Sequence, residues 1–256
     1  MAHADRLVLL AGVVAAGLGL SLITTPPLLW LLAGVVIATA CVGADQLIHA
    51  HWRARRRRRR YDLLLWIFPA LVVAGAFLVL RLPFFESGIA VVLGVGVSTA
   101  LFVAVVMCQL HSLSTDDPRY RLARFVLSLL AYVTAFGMYS AIYAPRLRSA
   151  FSATGVTVVT VLICLELFRG QQVDGRRALL YASVLGLAVG EVTWALNYWL
   201  IGPLAGGLLL LAALYVGAGI IQSHLSGQLT ARALAEFAGV GTAAVALVLG
   251  VGLLPS

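Results

Sequence analysis

The chain contains no lysine; all 18 of its basic residues are arginine. That excludes lysine Schiff bases and every other form of lysine covalent catalysis. Charge of either sign is scarce. Charged residues make up 11% of the 256 positions, where a soluble globular domain carries about 25%. Cysteine is rarer still. Cys41, Cys108 and Cys164 lie far apart inside apolar runs and form no CxxC pair. They read as small buried hydrophobes, with no disulfide framework and no cysteine-held metal. Also missing are a Walker A loop, a Gly-x-Ser-x-Gly elbow and the paired glutamates of an intramembrane protease. The glycine-rich "GVGV" at 94–97 sits within an apolar run, where glycine permits close helix packing and holds no nucleotide.

What remains is oil. The chain is 62% hydrophobic with a mean hydropathy of +1.01. A soluble fold of this size has too little core to hide that much apolar surface, so most of the chain must face lipid or other membrane helices. Apolar runs of spanning length fall near 7–23, 28–50, 62–80, 89–110, 122–143, 151–168, 178–199, 204–223 and 235–253. The runs are too long for buried strands. They are rich in Leu and Ala without alternation, which argues against a β-barrel. The first run lacks a small-x-small cleavage site before "TTPP" and is read as a helix, not a signal peptide. The expected fold is an all-α polytopic membrane bundle of about nine helices, a single transmembrane domain over 1–256.

Arginine placement orients it. Fifteen arginines fall in alternate turns: Arg6, seven in "HWRARRRRRR", then Arg119, Arg121, Arg124, Arg169, Arg176, Arg177 and Arg232. The opposite turns hold Arg81, Arg146 and Arg148. The positive-inside rule places the arginine-rich turns in the cytoplasm, with the N-terminus inside and the C-terminus outside a bacterial inner membrane. The run Arg55, Arg56, Arg57, Arg58, Arg59 and Arg60 is expected to grip anionic lipid headgroups at about 1 kcal/mol per residue. Its short loop offers no base-reading fold, so nucleic acid is not an expected partner. Trp30, Trp52 and Trp199 fall at the expected interfaces as belt residues.

The outer turns share a punctuation mark, with prolines at Pro27, Pro83, Pro145, Pro203 and Pro255. Each interval holds one helix going in, an arginine-bearing turn and one helix coming out. The inner turns also resemble one another, and "RALL" at 177–180 returns as "RALA" at 232–235. A leading helix followed by four parallel hairpin repeats, 27–82, 83–144, 145–202 and 203–255, is one reading. Convergent loop chemistry is the other, since proline starts helices and arginine marks inner turns.

Few polar groups interrupt the oil. Glu191 lies about 20 Å into the seventh run at 1.5 Å per residue. An acid near the bilayer centre costs about 2.5–3.5 kcal/mol, so it is expected to face the bundle as an uncharged acid. Helical spacing puts Ala188, Glu191, Trp194, Ala195 and Tyr198 on one face. Gly186 and Gly190 allow a neighbour to approach. Tyr139, Ser140, Thr154 and Thr157 are expected hydrogen-bond partners, with Arg148 reaching down from outside. Two roles compete for the acid: a proton- or substrate-binding group, or a bridge between helices.

A second polar group gathers toward the cytoplasmic ends: Asp45 and His49, four apart on one helix, with Gln109, His111, Glu166, Gln222 and His224. His and carboxylate ligands suit a divalent metal, but the His-x-x-x-His and His-Glu-x-x-His patterns are absent. No metal and no cofactor is expected. Tyr132, Phe136, Tyr139 and Tyr143 form an aromatic stripe at steps of four, three and four. Such a stripe reads first as packing. With Trp194 and Tyr198 it would line an apolar pocket for a lipid tail, quinone or pigment.

The stretch "RALLYASVLGLAVGEVTWALNYW" at 177–199 resembles an uncharacterised family of bacterial multi-span proteins, over roughly the last third of the chain. The resemblance implies no activity and no site residue. Three functional classes follow. The expected one is a subunit or scaffold of a membrane complex, binding partner helices, a second copy or lipids. A small proton-coupled transporter or channel using Glu191 is the alternative. A membrane enzyme on lipid or isoprenoid substrates, with Asp45, His49 and Glu166 as its head site, lacks a visible nucleophile–base pair.

Overall fold

The structure is a computed structural model; it describes residues 2–53, 65–113, 118–145, 149–171, 174–199 and 201–252. The arginine run 55–60, Arg146 and Arg148 lie outside the described residues, as do the side chains of His49 and Trp52. Among the described residues there are nine α-helices and no strand. They are α1 (Ala2–Ile23), α2 (Pro26–Arg53), α3 (Ile67–Val79), α4 (Gly88–His111), α5 (Tyr120–Tyr143), α6 (Ser149–Phe168), α7 (Gly175–Leu196), α8 (Pro203–Leu225) and α9 (Ala231–Gly252). The all-α bundle expected from the apolar runs is the observed architecture. Seven of the helices are long and apolar enough to cross a membrane. The apolar stretches of α3 (Ile67–Val79) and α9 (Leu234–Val248) are shorter.

Helix ends follow local chemistry. Ser87 caps α4 by accepting a bond from the Ala90 amide at 3.2 Å, satisfying a donor that has no partner within the helix. Pro203 starts α8, where its missing N–H costs nothing. The same helix stops at Gly227, whose φ of 67° is the left-handed conformation glycine tolerates. The Gln228 amide then donates to Ser223 O at 2.9 Å and the Gly227 amide to His224 O at 3.1 Å. That pair of bonds closes a Schellman motif on the last carbonyls.

The contacts divide the chain into two compact units, residues 1–130 and 131–256, with the boundary inside α5. In the first unit α1 packs against α2, α3 and α4, and α3 joins α2 to α4. Gly17 admits Val36 and Gly43 admits Leu10, which brings α1 and α2 close. Phe68, Phe102, Leu18 and Ile48 fill the core. Two long-range bonds tie helix ends together. Gln109 Nε2 donates to Leu65 O at 3.0 Å, holding the end of α4 to the start of α3. Arg81 Nη2 donates to Ser21 O at 3.0 Å, joining the ends of α1 and α3.

In the second unit α6 is the central helix, half of its apolar window buried. It packs most closely on α7 and also touches α8, which in turn carries α9. Phe237 of α9 lies against Gly219 and meets Tyr215 edge-on, with ring centroids 6.1 Å apart. Tyr215 is itself 5.7 Å from Tyr132 of α5.

Candidate functional site

The two faces of α7 decide what its acid can do. Ala182, Leu185, Gly186, Val189, Gly190, Thr193 and Leu196 are buried. Gly186 lies against Val161 and the Thr157 carbonyl, and Gly190 against the Thr157 hydroxyl and Ala153 O. The small residues thus form the face that α6 approaches. One residue further along a helix turns about 100°, so Glu191 leaves this face and is exposed. Its companions at helical spacing leave with it: Trp194 is 54% exposed and Tyr198 78%. Glu191 and Trp194 leave the buried face of α7 together, and Tyr198 follows in the exposed turn after the helix, so the three point out of the unit, not inward as expected. Small-residue packing sets the rotation of α7, and the position of the acid follows from it.

Depth changes as well. α7 begins at Gly175 and ends at Leu196, so Glu191 stands about 8 Å inside the end of the helix at 1.5 Å per residue. The expected span, 178–199, had put it nearer the midplane.

Of the described residues expected to bond Glu191, none does so. Tyr139 is fully buried, its hydroxyl 2.7 Å from Thr160 Oγ1. Ser140 is buried with its Oγ pressed against Gly207. Thr154 donates to Ala150 O at 2.7 Å, and Thr157 lies under Gly190. Tyr143 donates to Leu196 O at 2.7 Å and more weakly to Trp199 O at 3.4 Å. Asn197 Nδ2 donates to Ser152 Oγ at 2.8 Å. The aromatic stripe of α5 therefore serves packing: Tyr139 and Tyr143 are sealed inside, away from the exposed Trp194 and Tyr198, and the six do not form one pocket lining.

The group expected at the cytoplasmic ends is drawn from both units: Asp45, His49, Gln109 and His111 belong to the first, and Glu166, Gln222 and His224 to the second. Gln109 is fully buried. His224 is exposed, with Tyr181 edge-on at 6.5 Å. Among the described residues no three His, Cys, Asp or Glu side chains come together as a metal site would require. The buried acid of the second unit is Glu166, 3.3 Å from Arg169 Nη1, with side chains 4% and 14% exposed. The i, i+3 spacing in "ELFR" was the available signal for that pair.

A family model matches residues 10–251, under the description "Protein of unknown function (DUF5656)". The chain belongs to that family. The match covers nearly the whole chain, beyond the last third where the resemblance was seen. No curated protein and no solved structure matches the chain. The family brings no activity with it, so the chemistry must be read from the side chains. Inside the second unit, hydroxyls and amides bond one another across α5, α6 and α7. On its surface, one carboxylate stands among Leu187, Val192, Trp194 and Tyr198, all exposed.

Proposed function

We propose that this chain is a membrane-embedded subunit or scaffold of a bacterial inner-membrane complex, using the outward face of α7 to hold a partner helix or lipids. The supporting observation is the exposure of Glu191 on an otherwise apolar helix face. An acid turned toward hydrocarbon costs about 2.5–3.5 kcal/mol at the bilayer centre and less toward the ends. A docked partner that supplies a hydrogen bond or a cation offsets that cost. The buried polar groups of the second unit support the same reading, since each bond that joins Tyr139 to Thr160 or Asn197 to Ser152 serves the packing of the unit itself. In this reading the arginine-rich turns lie in the cytoplasm, and Arg55–Arg60 hold anionic headgroups there.

Purification in mild detergent, followed by mass spectrometry of the intact complex, tests this. A stoichiometric protein partner, a stable second copy or tightly retained lipid, lost in Glu191→Gln, is the expected result. A clean monomer that carries out proton-coupled uptake, with uptake lost in Glu191→Gln, would replace the scaffold with a transporter.

A further inference from the structure

We propose that Glu191, Trp194 and Tyr198 form a site for the ammonium group of an amine-bearing phospholipid headgroup. The site rests on the reading of the α7 face just given and names its ligand. Three observations converge on it. The acid stands about 8 Å inside the end of α7, within reach of the headgroup level for a lipid lying along the helix. Trp194 is three residues on, on the same side of α7, and Tyr198 follows in the turn just past the end of the helix; all three side chains are exposed. Among the described residues Glu191 forms no ion pair.

The chemistry selects the ligand by sign and shape. A carboxylate attracts a cation, and the negative faces of indole and phenol do the same, Trp most strongly. Both repel an anionic headgroup. A primary ammonium has three donors; one meets the Glu191 carboxylate while the charge rests over the Trp194 ring. The lipid tails then run down the apolar surface presented by Leu187, Val184 and Leu180, all exposed on α7. A protein helix would cover the same oily surface without needing two amphipathic rings beside the acid near its end. Trp and Tyr gather at headgroup level for the same amphipathic reason.

The test uses the full chain in nanodiscs of equal parts phosphatidylethanolamine and phosphatidylglycerol, with retained lipids counted by native mass spectrometry. The wild-type chain should retain the amine lipid about tenfold over the anionic one, the factor expected for a partly desolvated cation–aromatic contact. Glu191→Gln and Trp194→Leu should each lower the preference toward one, and Val92→Ala, on the exposed surface of α4, should leave it intact. Thermal unfolding in detergent confirms that each variant is folded. Equal retention of the two lipids by the wild-type chain, or an undiminished preference in folded Glu191→Gln, overturns the lipid site. A wild-type amine preference with no protein partner or second copy upholds the lipid site and overturns the protein half of the proposed function. Equal retention alongside a stoichiometric protein partner does the reverse.

Discussion

Tyr139 and Thr160 meet hydroxyl to hydroxyl at 2.7 Å in the interior of the second unit. The Thr160 hydroxyl has one proton, and it goes to the Val156 carbonyl at 2.7 Å. Tyr139 must then be the donor to Thr160, which makes the bond directional. Interhelical hydrogen bonds of this kind contribute about 0.6 kcal/mol, at most about 2. Tyr139→Phe and Thr160→Val should each lower stability by about 1 kcal/mol. The double variant should cost less than the two single costs added together, because the second change removes the group that the first left unpaired. Reversible unfolding in detergent measures all three. Strict additivity would mean that the two hydroxyls do not interact.

The glycines of α7 make a sharper steric prediction. A Cβ at Gly186 would stand 2.6 Å from Val161 Cγ2 and 3.0 Å from the Thr157 carbonyl oxygen, and the carbonyl is backbone that cannot swing aside. Gly186→Ala should destabilise by about 1–3 kcal/mol, the usual cost of overpacking. Gly96 of α4 meets nothing within 4 Å, so Gly96→Ala should stay within about 0.5 kcal/mol of the parent. Thermal unfolding of the two variants side by side separates a packing glycine from an incidental one. An equal effect at the two sites would remove the explanation offered for the rotation of α7.

That rotation is also where sequence reasoning met its limit. The helices were readable because a bilayer imposes a hydrophobic length on a span, and seven of the nine described helices are long and apolar enough to meet it. Which face of a helix turns inward is decided by a contest. Polarity argued for burying Glu191, while Gly186 and Gly190 argued for burying the neighbouring face. Close packing against α6 engages Gly186 and Gly190, Val189 and Thr193 beside them are buried, and a single acid near the helix end does not outweigh this. Glu166 meets the same limit: its place at a helix end does not reveal that it is 5% exposed. Its partner Arg169 was visible in the spacing, but burial depends on how the other helices of the unit pack around α6. One sequence without coordinates does not report that.

The Glu166–Arg169 pair yields the next prediction. Both side chains are largely covered. Removing one partner takes a close counter-charge from a covered ion, at a cost of up to about 3 kcal/mol. Glu166→Ala should therefore destabilise. Glu166→Leu combined with Arg169→Met should recover part of the loss, because neither covered charge of this pair remains. Unfolding in detergent distinguishes the cases. A mild Glu166→Ala, near the about 0.5 kcal/mol typical of exposed helix pairs, would mean that the pair is wet and that its burial has been overestimated.

Arg81 bears on how the chain is oriented, since it stands among the few arginines assigned to the outer turns. Its guanidinium donates to Ser21 O at 3.0 Å, one of the carbonyls that the end of α1 leaves unpaired. A cation at that end also suits the helix dipole. Arg81 thus has a structural reason to be there, and it does not weaken the arginine asymmetry of the remaining turns. Orientation can be read directly with single cysteines, once Cys41, Cys108 and Cys164 are replaced. Ser87 and Gly202 precede α4 and α8, Gly170 and Ser226 follow α6 and α8, and all four are exposed. Cysteine at 87 or 202 should react with a membrane-impermeant maleimide in intact cells. Cysteine at 170 or 226 should react only after the cells are opened, because arginine-bearing turns are held on the cytoplasmic side. The reverse pattern would put Arg169, Arg176, Arg177 and Arg232 outside. Glu191 would then face the inner leaflet, and the amine-headgroup site would have to be sought there.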